Sequence, residues 1–184
     1  CLLPAIAVSA TADTNKPNII LCMTDDQGWG DTSYNGHPEL KTPNLDAMAS
    51  AGIRFDRFYS AHPMCSPTRA SCLSGRSPVR YRCMTWGHDL PLREATVAEA
   101  VRTAGYATGY FGKWHLGLHE TMRPNARGFD YYYGFLNGAH DYERAFPRFG
   151  KNKGLWPLFR NNEMQPEYAG YLTDTFSDEA VGFI

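Results

Sequence analysis

No hydrophobic run in this 184-residue chain is long enough to cross a bilayer. The apolar stretch at residues 2–10 falls well short of the roughly 20 residues that a helical span needs. An excess of one charge is missing as well, since 18 Lys and Arg stand against 19 Asp and Glu for a net charge of −1. Without a basic stripe or run, a nucleic-acid partner is not expected. Five cysteines, an odd number, do not close into a disulfide framework, although Cys72 and Cys83 could pair in an oxidising compartment. Internal repeats and low-complexity tracts are absent too, which argues against a solenoid or a long disordered linker.

What is present reads as a globular protein. Hydrophobic residues make up 43% of the chain and aromatics 14%, enough to bury a core. The 12 prolines and 17 glycines suit a loop-rich enzyme better than a helical bundle. Ala10-Thr11-Ala12 before Asp13 reads as a small-residue cleavage site, so residues 1–12 are read as the remnant of a secretory signal peptide without its charged start. A periplasmic or secreted protein is therefore expected. A helical pattern from about Thr173 runs to Phe183-Ile184 without a stop signal, and the chain reads as a fragment lacking both ends.

Residues 18–24 form a short apolar run bounded by polar residues, which predicts a buried parallel strand. Asp25-Asp26 follows at its C-terminal end, where ligands bind in open α/β sheets. Thr42 and Pro43 predict an N-cap and first helical residue, Leu45, Met48 and Ala49 an apolar face, and Gly52 a stop. Residues 53–59 alternate as a half-buried strand would. Thr96-Val97-Ala98-Glu99 is a capping box opening a helix toward Gly105, and a strand-like segment at 106–111 delivers Lys113 and His115 from its end. Leu158-Phe159-Arg160 and Glu163-Met164 around Asn161-Asn162 predict a small hairpin. The alternation argues for an α/β fold with a mostly parallel sheet and helices packed on it.

The stretch from His62 to Gly75 carries the most chemistry. Pro67 suits the first turn of a helix and Gly75 the position just past its last. Cys65 then sits at a helix N-terminus, where N–H groups and the dipole favour an anion. Arg69, one turn on, adds a cationic fork suited to tetrahedral oxyanions. The residues alone allow either an ordinary core cysteine or a nucleophile over an anion pocket. Asp25 and Asp26 are either a solvated turn or part of a hard-cation site, whose oxygen donors suit Ca²⁺ or Mg²⁺ better than zinc. Lys113 and His115 are two apart on an extended segment, so both side chains can point one way, or else they simply flank a packed Trp114.

Cys65-Ser66-Pro67-Thr68-Arg69 resembles the formylglycine motif of the type I sulfatases. Gly105 to Gly117, containing Gly112-Lys113-Trp114-His115, resembles the second signature of that family, and Pro17 to Asp26 its metal-binding first strand. The resemblance covers the chain from about Lys16 onward and implies the alkaline phosphatase-like fold, with helices on both faces of the sheet, residues 16–184 forming the N-terminal part of a catalytic domain. It implies that a formylglycine-generating enzyme oxidises Cys65 to an aldehyde whose hydrate attacks the sulfur of a sulfate ester. Asp25, Asp26 and an oxygen of modified Cys65 would hold Ca²⁺, with Mg²⁺ second, and further ligands would come from later sequence. Lys113 would contact the sulfate, Arg69 would polarise the aldehyde hydrate together with the metal, and His115 would take the proton whose loss expels sulfate.

The departures from the family pattern are Cys72, where a bulky apolar residue is usual, and a bulky Phe111. The substrate would be a sulfated small molecule or carbohydrate. Similarity of the 127–142 segment to carbohydrate-acting members favours a sugar, and the aromatics at 127–149, with His140 and Asp141, suggest a sugar-stacking rim or else ordinary core aromatics. The competing functions are a phosphomonoesterase or phosphodiesterase of the same superfamily, which usually presents Ser or Thr as nucleophile, and a non-catalytic binding protein or incompetent fragment on the same scaffold.

Overall fold

The computed structural model describes residues 16–143, 157–165 and 170–184, and residues 1–12, read above as a signal remnant, lie outside them. The chain divides into two compact units, residues 1–55 and 56–184.

In the first unit the described residues build one helix, α1 (Pro43–Ala51), and a 3-10 turn at Ser33–Asn35. Pro43 opens α1 because its missing N–H is one that a helix start leaves unbonded anyway, and Gly52 closes it by donating its N–H to the Met48 carbonyl. The Thr42 hydroxyl does not cap a helix N–H. It lies 2.9 Å from Ser33 Oγ and donates to Asp46 Oδ1 at 3.1 Å, while Ser33 Oγ donates to Asp46 Oδ2 at 2.6 Å. These bonds, the one from Ser33 foremost, lower the Asp46 carboxyl below its usual range against the opposing effect of desolvation. Residues 18–24 form no strand, and Ile19, Ile20 and Leu21 are exposed. A strand must hand its backbone N–H and C=O groups to neighbouring strands, and among the described residues of this unit there are none. The expected strand at 53–59 is likewise absent, with Ile53 84% exposed.

The second unit is built on a four-stranded sheet in the order β1 (Gly109–Lys113), β2 (Tyr131–Phe135), β3 (Leu158–Arg160), β4 (Glu163–Gln165). The sheet is mixed: β1 and β2 run parallel, from Gly109 opposite Tyr131 to Lys113 opposite Phe135, and β2–β3 and β3–β4 are antiparallel. The last pair is the hairpin read from the sequence, with Asn161 in the left-handed region at φ 55°.

Alternation along the strands sends side chains to two cores. On one face Tyr110 and Tyr132 join Trp114, Leu90 and residues of α2 (Cys65–Ser74) and α3 (Val97–Arg102). On the other, Phe111, Tyr133 and Phe135 pack with Leu158, Leu172 and Phe176, the last two from α4 (Leu172–Phe183). Helices therefore cover both faces, as the resemblance implies. Both bonds of the α3 capping box are made: Glu99 N–H to Thr96 Oγ1 at 3.1 Å, and Thr96 N–H to Glu99 Oε2 at 2.7 Å. Glu99 also receives the Arg127 Nε at 3.1 Å. The buried Arg127 guanidinium spends its remaining donors on the Leu90 carbonyl at 3.0 Å and the Glu94 carbonyl. No helix among the described residues is long and apolar enough to cross a membrane.

Candidate active site

Cys65 is the first residue of α2. Met64 before it is extended and carries no oxygen, so no side chain caps the first turn and Cys65 lies at the positive end of the helix dipole. The Met64 N–H donates to His62 Nδ1 at 3.2 Å, and the Thr68 hydroxyl donates to the His62 carbonyl at 2.5 Å, which folds the approach loop onto the helix. Gly75 ends α2 at φ 64°, as its position predicted.

Arg69 is buried, and its Nη1 donates to the Lys113 carbonyl at 2.7 Å and to the Tyr110 hydroxyl at 3.2 Å. Tyr110 donates to that same carbonyl at 2.5 Å. This triangle ties the cysteine helix to the end of β1. The pairing with β2 continues past the strand, with Trp114 N–H bonded to the Phe135 carbonyl and His115 N–H to the Leu136 carbonyl at 3.1 Å. His115 then leaves the extended conformation, at φ 55°, so the expectation that Lys113 and His115 share one extended face is corrected. The turn lays the imidazole across Gly138, where an added Cβ would lie 2.6 Å from Cε1 and 2.7 Å from Nε2.

Cys65 and His115 line one cavity of about 410 Å³, together with Trp86, Asp89, Leu118 and Asn137. Arg69 and Lys113 are not among the residues lining it. Asp25 and Asp26 belong to the first unit, exposed at the end of an irregular segment, with Asp26 at φ 59°. As oxygen donors they suit a hard cation, yet two carboxylates are fewer than such an ion's shell. Among the described residues no group of three or more His, Cys, Asp or Glu is placed to hold a metal.

Two alternatives that the sequence leaves open are decided among the described residues. Cys72 and Cys83 are free thiols, the first exposed and the second buried. Burial pushes the Cys83 thiol up to about 11 and raises that of Cys72. The aromatics at 127–135 do not form a rim: Phe129, Tyr132, Tyr133 and Phe135 are core. His140 packs its ring against Phe135 at 5.3 Å, and Tyr142 stacks on Tyr171 at 5.4 Å, while Phe146 lies outside the described residues. The aromatic at the cavity is instead Trp86, which the sequence reading passed over. Nothing local marks it except a tryptophan beside a glycine in a polar turn.

The family profile described as Sulfatase matches residues 17–184. Arylsulfatase G of Rattus norvegicus is 36% identical across the whole chain, which covers 40% of that protein. N-acetylgalactosamine-6-sulfatase of Mus musculus is 35% identical, again across the whole chain and over 39% of its own length. Among solved structures, the crystal structure of Ps i-CgsB superposes with a TM-score of 0.81 at 35% identity, over 91% of this chain and 41% of that one. The crystal structure of Ps i-CgsB in complex with k-i-k-neocarrahexaose matches at 34% identity with a TM-score of 0.78, over 86% of this chain and 39% of that one. The chain thus spans about two fifths of the length of the relatives it matches. On a profile match that takes in nearly all of its residues, the chain belongs to the sulfatase family.

Proposed function

We propose that the protein containing this chain hydrolyses sulfate esters of carbohydrates, using a formylglycine made from Cys65 by a formylglycine-generating enzyme. The observation that carries the reading is the shared cavity, which puts a helix-N-terminal cysteine and a histidine at one solvent-accessible spot. A hydrated aldehyde at residue 65 would supply the attacking hydroxyl. Once the alcohol has left, His115 is suited to take the proton of the remaining hydroxyl, which expels sulfate and regenerates the aldehyde, since an imidazole exchanges protons near neutral pH. The positive end of α2 favours charge developing on the sulfate oxygens. Lys113 is assigned to the sulfate, and Arg69 keeps the cysteine helix in register with β1 through the Lys113 carbonyl.

Asp25 and Asp26 are the residues of this chain that would hold Ca²⁺ or Mg²⁺, a hard cation that would supply polarisation of bound oxygen atoms. The sugar substrate is supported by the name N-acetylgalactosamine-6-sulfatase and by the k-i-k-neocarrahexaose with which Ps i-CgsB was crystallised. An exported protein, secreted or periplasmic, accords with the small-residue site at residues 10–12.

The test uses the full-length protein coexpressed with a formylglycine-generating enzyme. Peptide mass spectrometry should find the aldehyde at residue 65, and turnover should be faster on sulfate than on phosphate esters. Cys65→Ala should abolish turnover. An active preparation with an unmodified thiol, or a preference for phosphate esters, would overturn the reading.

A further inference from the structure

We propose that Trp86 is a specificity-determining residue, the wall on which the sugar ring of the sulfate ester stacks. This rests on the sulfatase reading above and extends it to a residue that the family motifs do not contain.

Trp86 is 70% exposed, while Trp114, the core tryptophan of the same unit, is fully buried. What sets this exposed indole apart is its place, since it lines the cavity that holds Cys65 and His115. Its backbone is held firmly. The N–H of Gly87 donates to the buried Ser66 Oγ at 2.8 Å, fastening the turn to the residue after the cysteine. Within the turn, His88 N–H donates to the Thr85 carbonyl at 3.3 Å, and Met84 N–H donates to His88 Nδ1 at 3.3 Å. Gly87 sits at φ 74°, which a side chain would strain. The indole is thus solvent-exposed on a fixed mount, one hydrogen bond removed from the cysteine helix.

The chemistry of the remaining lining selects the ligand. A pyranose has an apolar C–H face and a polar hydroxyl edge. Trp86 and Leu118 offer apolar surface, and Asp89 and Asn137 offer hydroxyl partners. The sulfate group itself belongs at Cys65, so the ring that carries it falls against the wall. An indole recognises such a ring with little loss of side-chain freedom.

The experiment compares wild type, Trp86→Ala and Trp86→Phe in the full-length, formylglycine-bearing protein. The readouts are steady-state kinetics on a sulfated galactose-type oligosaccharide and inhibition by inorganic sulfate, which carries no ring. Trp86→Ala should lower kcat/KM about fivefold, mainly through KM, since one aromatic contact is worth about 1 kcal/mol. Trp86→Phe should recover most of the loss, and the inhibition constant of sulfate should stay unchanged in both. An unchanged kcat/KM in Trp86→Ala, equal losses in Ala and Phe, or a parallel weakening of sulfate inhibition would overturn the assignment. Wild-type protein that is inhibited by sulfate and cleaves aryl sulfates but not the sulfated sugar would overturn it too. Failure of the wild type on every sulfate ester would instead sink the sulfatase reading, so the two failures are distinguishable.

Discussion

The two units of the chain carry comparable amounts of apolar sequence and use it in opposite ways. In residues 16–55 no hydrophobic side chain is buried, and α1 keeps Met48 66% exposed on the face meant for packing. In residues 56–184 two clusters of aromatic and aliphatic side chains are closed by helices on either side of a sheet. The difference does not lie in local signals, because α1 has a proline start that α2 lacks, and each helix is followed by a glycine. It lies in whether strands find partners. The second unit pairs four of them, and among the described residues of the first no segment forms a strand. Burial follows pairing, because backbone groups taken from water must be bonded first.

That contrast can be tested by substitution, with the largest effect expected at Arg127. Its guanidinium is almost fully buried, pairs with Glu99 and serves two carbonyls, so Arg127→Ala strands several acceptors at once. Breaking such a buried site typically costs about 3–5 kcal/mol. Ile20→Ala in the first unit should cost less than about 0.5 kcal/mol, as an exposed position does. Denaturant unfolding of both variants measures the two. A comparable loss at Ile20 would show that the apolar run is packed after all and would erase the contrast.

A smaller effect, but a sharper one for chemistry, is expected at Gly138. Adding a methyl group there puts a carbon 2.6 Å from the His115 ring, so the imidazole must shift or the backbone must yield. Overpacking of this kind costs about 1–3 kcal/mol. If His115 moves protons in the reaction, a displacement near 1 Å lowers kcat on the order of a hundredfold. Turnover of Gly138→Ala full-length protein against its melting temperature separates the two effects. A stable variant with undiminished kcat would remove His115 from the reaction.

How much of this was legible in the sequence depends on the range of the signal. The Thr96–Glu99 capping box, the Gly75 stop and the Asn161 hairpin involve residues within a few positions of each other, and each is found as read. Thr42 was placed rightly at a helix start, yet its hydroxyl is drawn to Ser33, nine residues away, which no capping rule contains. The strand signals at 18–24 and 53–59 are half-statements, since an apolar run names a strand only if another chain segment lies alongside. The site divides in the same way. The motif located Cys65, Lys113 and His115, and the structure brings Cys65 and His115 to one cavity. Arg69 was expected to face the anion, whereas its Nη1 serves the Lys113 carbonyl, 44 residues on. Trp86 and Gly138 were invisible because their roles exist only after segments 21 to 23 residues apart are folded together.

The smallest predicted effect concerns the clasp that fastens α4 to the sheet. Arg160 on β3 holds Glu179 with two bonds, Nη1 to Oε2 at 2.7 Å and Nη2 to Oε1 at 2.5 Å. The Tyr131 hydroxyl also donates to Glu179 Oε2, at 2.5 Å. The Arg160 bonds hold the Glu179 carboxyl below its usual range, against desolvation. Burial, and then the bond to Glu179, push Tyr131 up to about 12. A carboxylate with a depressed folded pKa contributes stability that is complete above its unfolded value, near 4.5, and is lost as pH falls through the lower folded value. A phenol raised on folding behaves in the opposite sense, contributing below about 10 and losing that contribution as pH rises toward 12. The clasp is therefore constant across the neutral range and weakens at both ends. With the Arg160 side chain 41% exposed, solvent screening keeps the pair to about 0.2–1 kcal/mol. Glu179→Gln should lower the melting temperature slightly at pH 7, and the gap to wild type should close as pH drops below 4.5. A gap that holds constant down to pH 3 would mean that shape, rather than the ionised carboxylate, fastens α4.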